Sequence, residues 1–173
     1  TRCAGKSGYN QLRLSGNEPT IGKEHLLTLL SLIEQTKYNF ILESNGVLID
    51  PEYARQFSKF RCVHARISIK GTNPEEFELL TGAEPQAFCL QLNALENLLD
   101  AGVSCHPAVM LSFSPKKNLD ALKHRLRDID PALARSLEEE YVFLYPHVIN
   151  RLDEAGMKPL IAYKPEKIPK ELV

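Results

Sequence analysis

The sequence predicts an α/β fold, and three observations predict it. Strand and helix signals alternate along the chain, with strands about 30 residues apart, a spacing that calls for right-handed βαβ crossovers and a parallel sheet. Four of the strand segments share a polar face. The charged members of that face gather toward the carboxyl ends of the strands, where α/β folds place their ligands.

The elements follow in order. Gln11 to Ser15 reads as a short strand, and Lys23 to Gln35 as a helix with Leu26, Leu29, Leu30 and Ile33 at helical spacing. Tyr38 to Glu43 is the second strand, followed by an Asn45-Gly46 turn and a short helix over Pro51 to Ser58. Arg61 to Lys70 is the longest strand candidate. Asn73-Pro74-Glu75-Glu76 supplies an N-cap, a proline at the first helical position and a glutamate at the third, and Gly82 closes that helix. Pro85 opens a longer helix that presents Phe88, Leu92, Leu95 and Leu99 and stops at Gly102. Ser104 to Leu111 is the fourth strand, Asn118 to Ile129 and Pro146 to Ala155 are helices, and Pro159 to Tyr163 is the last strand. Residues 1–163 therefore read as the folded domain and 164–173 as an irregular tail.

Parallel strands covered on both faces read as continuous apolar runs, and these do not. Val63, Ala65, Ile67 and Ile69 alternate with Cys62, His64, Arg66, Ser68 and Lys70. Gln11, Arg13 and Ser15 oppose Leu12 and Leu14, Glu43 and Asn45 share a side, and so do His106, Met110 and Ser112. Either water bathes that face, or the sheet curls so that the face lines a lumen. Ile41 and Val109, apolar on the same side, suit the second arrangement, a partial TIM-like (β/α) barrel of about five strands with helices outside.

Composition narrows the function. Lys and Arg number 21 against 22 Asp and Glu, so no global charge draws the chain to nucleic acid or an anionic membrane. No apolar stretch approaches the roughly 20 residues of a membrane span, so a cytoplasmic location is the default. The 43 % of hydrophobic residues can fill a substantial core. Cys3, Cys62, Cys89 and Cys105 lack the spacing of a metal or redox motif and read as free thiols. His64 and His106 read as hydrogen-bonded structural groups rather than a metal pair, and Lys70 is a minor candidate for Schiff-base chemistry. Glu138-Glu139-Glu140 reads as a solvated helix face, and Tyr141, Phe143, Leu144 and Tyr145 as packing of helix on sheet.

Leu14-Ser15-Gly16-Asn17-Glu18-Pro19-Thr20 lies between the first strand and the next helix. Gly16 frees the backbone for a close ligand, Glu18 supplies a carboxylate for an ammonium group, and Pro19 fixes the turn. The segment equally suits an ordinary strand-to-helix turn. It resembles the Gly-Glu-Pro motif of radical S-adenosylmethionine enzymes. Leu42-Glu43-Ser44-Asn45-Gly46 resembles the family's Thr-Asn-Gly turn, with serine for threonine. Arg66 to Gly71, Thr81-Gly82-Ala83 and Gly102-Val103 leading into His106-Pro107-Ala108-Val109-Met110 resemble the strand, helix and strand that follow in activating-enzyme-like members.

The resemblance implies a cytoplasmic enzyme that reductively cleaves S-adenosylmethionine at a four-iron four-sulfur cluster and abstracts hydrogen from a substrate, which a protein could supply. It implies an electron donor such as flavodoxin or ferredoxin. By position, Ser15, Gly16, Asn17 and Glu18 would hold the methionyl ammonium, while Glu43, Asn45, Arg66, Ser68, Lys70 and Met110 would face the ribose, the carboxylate or the substrate. The sequence departs from the pattern twice: Asn17 stands where a second glycine is usual, and the chain holds no CxxxCxxC. The expectation is a fragment of a longer enzyme, with the cluster segment outside this chain and no catalytic residue assigned.

Overall fold

A computed structural model describes residues 8–169. Its strands are β1 (Gln11–Leu14), β2 (Asn39–Ser44), β3 (Val63–Lys70), β4 (Ser104–Met110), β5 (Glu138–Glu140), β6 (Val142–Phe143) and β7 (Ala162–Tyr163). The helices are α1 (Lys23–Glu34), α2 (Pro51–Phe57), α3 (Pro74–Thr81), α4 (Phe88–Asp100), α5 (Lys116–Ile129), α6 (Pro131–Arg135) and α7 (Pro146–Glu154). Strands β1 to β5 form one sheet in chain order, and β6 pairs with β7 in a second. The fold is α/β with five parallel strands, as the alternating pattern predicts.

The chain divides into two compact units, one made of residues up to Ser68 with Cys89–His106, the other of Ile69–Phe88 with the residues from Pro107 onward.

In the first unit, β1 and β2 pair in parallel with Arg13 opposite Ile41, and β2 and β3 with Ile41 opposite His64 and Glu43 opposite Arg66. Partners in a parallel register point to the same side, so Arg13, Ile41, Glu43, His64 and Arg66 share one face. The other face is apolar: Phe40, Leu42, Val63, Ala65 and Ile67 are buried with Leu26, Leu30 and Ile33 of α1, Tyr53, Ala54 and Phe57 of α2, and Leu92, Leu95 and Leu98 of α4. The helical periods fall one residue from expectation in two places. Leu29 stays partly exposed on α1, and on α4 it is Leu98 rather than Leu99 that is fully buried. Pro85–Ala87 forms a 3-10 turn ahead of α4 instead of its first turn.

In the second unit, Asn73 caps α3 through the Glu76 amide, and Gly82 ends it at φ +69°, as the capping pattern predicts. Glu138–Glu140 is a strand and not a helix face. It pairs with β4, Ala108 opposite Glu138 and Met110 opposite Glu140. Three consecutive glutamates argue against a strand on propensity. Here they occupy an edge, where charge is tolerated and discourages further pairing, and Lys123 and Lys70 lie within 3.4 and 3.7 Å of Glu139 and Glu140. The segment expected as the fifth strand, ending at Tyr163, instead supplies β7, which pairs with β6. So Val142 and Phe143 form strand backbone, with Tyr141 and Leu144 at its ends. Ser112, fully buried just past β4, binds this region: its hydroxyl accepts from the Val142 amide and its carbonyl from the Leu160 and Ile161 amides.

Candidate functional site

The loop after β1 carries two consecutive residues of positive φ, Gly16 at +95° and Asn17 at +52°. Asparagine is among the few residues that enter the left-handed region at low cost, which is how this loop keeps its course without a second glycine. Gly16 and Asn17 are exposed, and no heavy atom lies within 4 Å of where a Gly16 Cβ would stand. Ser15 is also exposed on this loop.

Glu18 begins the 3-10 turn Pro19–Gly22 and is half-buried. Its Oε1 accepts from the Thr20 amide at 3.1 Å, the Thr20 hydroxyl at 2.5 Å and the Ser44 hydroxyl at 2.8 Å. Its Oε2 accepts from the Asn45 amide at 2.7 Å. A carboxylate oxygen has two lone pairs, so Oε1 is fully engaged while Oε2 keeps one acceptor position. The carboxylate thus joins the loop after β1 to the turn after β2.

That turn is tightly built. The Gly46 amide donates to the Ser44 hydroxyl at 3.0 Å, and the Val47 amide to the Asn45 side-chain oxygen at 2.9 Å. Gly46 has φ +79°, and a Cβ there would stand 2.9 Å from that of Ala94 and 3.1 Å from Ile67 Cγ2. Only glycine fits.

On the polar face, Glu43 Oε1 accepts from Arg13 and pairs with the Arg66 guanidinium at 3.1 Å. Arg66 is 6 % exposed, so its guanidinium looks onto protein rather than bulk water. Toward the amino ends of the strands, His64 Nε2 lies 2.6 Å from His106 Nδ1, and His64 Nδ1 lies 2.7 Å from the Ser104 hydroxyl. The two imidazoles are bonded to each other, and burial, then the neighbouring His106, lowers the His64 pKa below its ordinary value. Ser68 is half-buried on the same strand.

In the second unit Lys70 lies 3.7 Å from Glu140, and Met110 occupies the register position opposite Glu140. Glu76 is a site that sequence reasoning treats only as part of a helix start. Its Oε2 accepts from the Thr72 amide, the Thr72 hydroxyl and the Ser114 hydroxyl at 2.8, 2.6 and 2.5 Å, and its Oε1 from the Asn118 amide group at 2.7 Å. Burial raises its pKa, but the four donors together outweigh burial and the net displacement is downward. The signal was legible in part: a glutamate at the third helical position can turn back on the residues ahead of the helix. A cavity of about 310 Å³ opens among Leu111, Lys116, Leu119, Lys123, Glu139 and Tyr141, and none of the residues expected to bind the cofactor lines it.

The structure therefore brings Glu18, Asn45 and Ser44 together, and Glu43 with Arg66. The importance of Ser44, buried at 3 % exposure, was not foreseen. Of the cysteines, Cys62, Cys89 and Cys105 are in no disulfide, the Cys62 thiol pushed up to about 11 first by burial and then by Glu34; Cys3 lies outside the described residues. No helix among the described residues is long and apolar enough to cross a membrane.

Residues 2–127 match the family described as the Radical SAM superfamily. The chain belongs to the radical SAM superfamily. Curated relatives of this radical SAM chain include mycofactocin maturase MftC of Mycobacterium ulcerans, 31 % identical over 53 % of this chain and 24 % of the relative, and a probable GTP 3',8-cyclase of Pyrobaculum aerophilum, 28 % identical over 69 % and 38 %. The chain thus spans well under half the length of either. Among solved structures it resembles native anSMEcpe with bound AdoMet and Cp18Cys peptide, with a TM-score of 0.61 at 20 % identity over 76 % of this chain and 37 % of that one. It also resembles Streptococcus suis SuiB bound to S-adenosylmethionine, with a TM-score of 0.60 at 15 % identity over 82 % and 40 %. At these identities the likeness is one of fold, the partial TIM barrel. The curated relatives are a maturase and a cyclase, so the likeness to activating enzymes is carried no further.

Proposed function

We propose that this chain forms the S-adenosylmethionine-binding part of a radical SAM enzyme, with the methionyl end of the cofactor held by the loops after β1 and β2. The observation that carries this reading is Glu18. Its Oε2 retains an acceptor position, and beside it Gly16 and Asn17 hold an exposed backbone at positive φ with empty space next to it. Glycine at positive φ is the usual choice where a backbone must come close to a ligand.

The methionyl ammonium has three N–H donors; Glu18 Oε2 accepts one, and two of the carbonyls of Ser15, Gly16 and Asn17 accept the others. Arg66, held by Glu43, offers guanidinium N–H groups to a carboxylate, and Asn45 and Ser68 offer groups that bond ribose hydroxyls. In the second unit, Lys70, beside Glu140, and Met110 are proposed as contacts of the bound substrate. When bound, the cofactor supplies on reduction the 5'-deoxyadenosyl radical that abstracts hydrogen from the substrate. The chain's own residues orient the methionyl group and hold it away from water.

The donor set suits S-adenosylmethionine. It does not suit the cluster: the chain's four cysteines include no CxxxCxxC, and among the described residues no group of three His, Cys, Asp or Glu side chains could hold a metal ion. The reduction step is therefore assigned to no residue here. A peptide or protein substrate is favoured by the peptide-bound neighbours, anSMEcpe with Cp18Cys and SuiB with SuiA. Flavodoxin or ferredoxin as electron donor, and a cytoplasmic location, complete the proposal.

The test is calorimetric titration of S-adenosylmethionine into this chain. Stoichiometric binding that Glu18→Gln weakens about tenfold, the loss of one charge-assisted bond, is the expected result. Binding indifferent to Glu18→Gln would sink the reading.

A further inference from the structure

The Ser44 side chain is on the apolar side of β2, opposite Ile67 of β3 in the strand register, and is 3 % exposed. A hydroxyl buried there has to be satisfied, and it is satisfied in both senses: it donates to Glu18 Oε1 at 2.8 Å and accepts from the Gly46 amide at 3.0 Å. Bonds therefore run from the Gly46 amide through the Ser44 hydroxyl to the Glu18 carboxylate, parallel to the direct bond from the Asn45 amide to Oε2.

The orientation of a glutamate carboxylate about its last torsion is intrinsically loose, a broad and roughly two-fold well. Thr20 reaches Oε1 from two residues away on the same loop, and the Asn45 amide reaches Oε2 from the exposed turn after β2, so neither can fix Oε1 against the buried end of β2. Ser44 can, because it approaches Oε1 from the neighbouring strand. With Oε1 pinned from both loops, the remaining acceptor position of Oε2 has a single direction. Gly46 is buried in a space with no room for even a Cβ, which would stand 2.9 Å from that of Ala94, so the turn has little latitude to relieve the arrangement.

We propose that Ser44 is a positioning residue for the methionyl end of the cofactor: without touching the ligand, its hydroxyl aims the free lone pair of Glu18 Oε2 at the ammonium group. This rests on the cofactor reading given above.

The test compares two ligands on this chain. S-Adenosylmethionine carries the methionyl ammonium, and 5'-methylthioadenosine has the same nucleoside without it. Ser44→Ala is expected to weaken S-adenosylmethionine about tenfold, the worth of one hydrogen bond to a charged group, and to change 5'-methylthioadenosine less than about twofold. Ser44→Thr is expected to restore S-adenosylmethionine. Amide hydrogen exchange read on the same variants, with no ligand present, should show Asn45 and Gly46 losing protection in Ser44→Ala and regaining it in Ser44→Thr. Equal losses for both ligands would mean that Ser44 merely supports the fold and would overturn the inference. So would unchanged binding in Ser44→Ala, or unchanged exchange at the two amides. Binding of neither ligand by the unsubstituted chain would instead overturn the cofactor reading, and the inference with it.

Discussion

Glu18 and Glu76 lie in different units of the molecule and yet are wired alike. Each spends one carboxylate oxygen on a threonine amide, the same threonine's hydroxyl and a serine hydroxyl, and the other oxygen on a single donor. Each thereby ties together two loops that follow successive strands. They differ in what surrounds them. Glu76 is 8 % exposed and sits against Gly71, where a Cβ would come within 2.6 Å of its own. Glu18 is half-buried and borders a loop with open space beside Gly16. The same device, closed on all sides, holds the fold; left open on one side, it can hold a ligand.

The sharpest way to break this comparison is to neutralise each carboxylate. Glu76→Gln leaves buried donors facing an amide NH2 and should cost about 3 kcal/mol in unfolding free energy measured by urea. Glu18→Gln, at a half-buried carboxylate whose Oε2 borders the exposed Asn45 turn, should cost about 1 kcal/mol. Equal costs would erase the distinction between a closed and an open site.

The glycines sharpen it next. Gly71→Ala combines positive φ with a backbone clash and should cost about 2 to 3 kcal/mol, whereas Gly16→Ala meets only the backbone strain, about 1 kcal/mol. Thermal unfolding of the two variants should rank them in that order.

Acid separates the sites more gently. The folded pKa of Glu76 is lowered from the ordinary 4.5, so its stabilisation is complete above that value and lost as pH falls through the lowered one. The acid limb of the stability curve should therefore flatten in Glu76→Gln. A smaller effect belongs to His64, whose folded pKa is lowered from the ordinary 6.5. Below that pH the unfolded chain binds more protons, and stability should decline as pH falls. His64→Gln should remove that slope, measured as urea midpoints between pH 7 and pH 5.

The fold was largely legible because its signals are local. The cap at Asn73 and the stop at Gly82 each involve neighbours within a helical turn, and the alternation in β3 is a property of one strand. The edge strand at Glu138 to Glu140 was not legible, since three glutamates become a strand only when β4 lies alongside and Lys70 and Lys123 come near. The candidate site was half legible. Gly16, Asn17 and Glu18 stand out by residue type and place, but Ser44 does not, because its partner is 26 residues away. Glu43 and Arg66 stand out as polar residues of one face, but their pairing with each other at 3.1 Å becomes visible only when β2 and β3 lie side by side.

The sequence by itself determined the strands and helices up to β4, which of their faces are polar and where the loops of interest lie, because periodicity and capping act over a few residues. Only the tertiary structure decided how the acceptor positions of Glu18 and Glu76 are shared out. A carboxylate does not choose its donors from the sequence around it; register and packing bring them, and what they leave unoccupied is what a ligand can use.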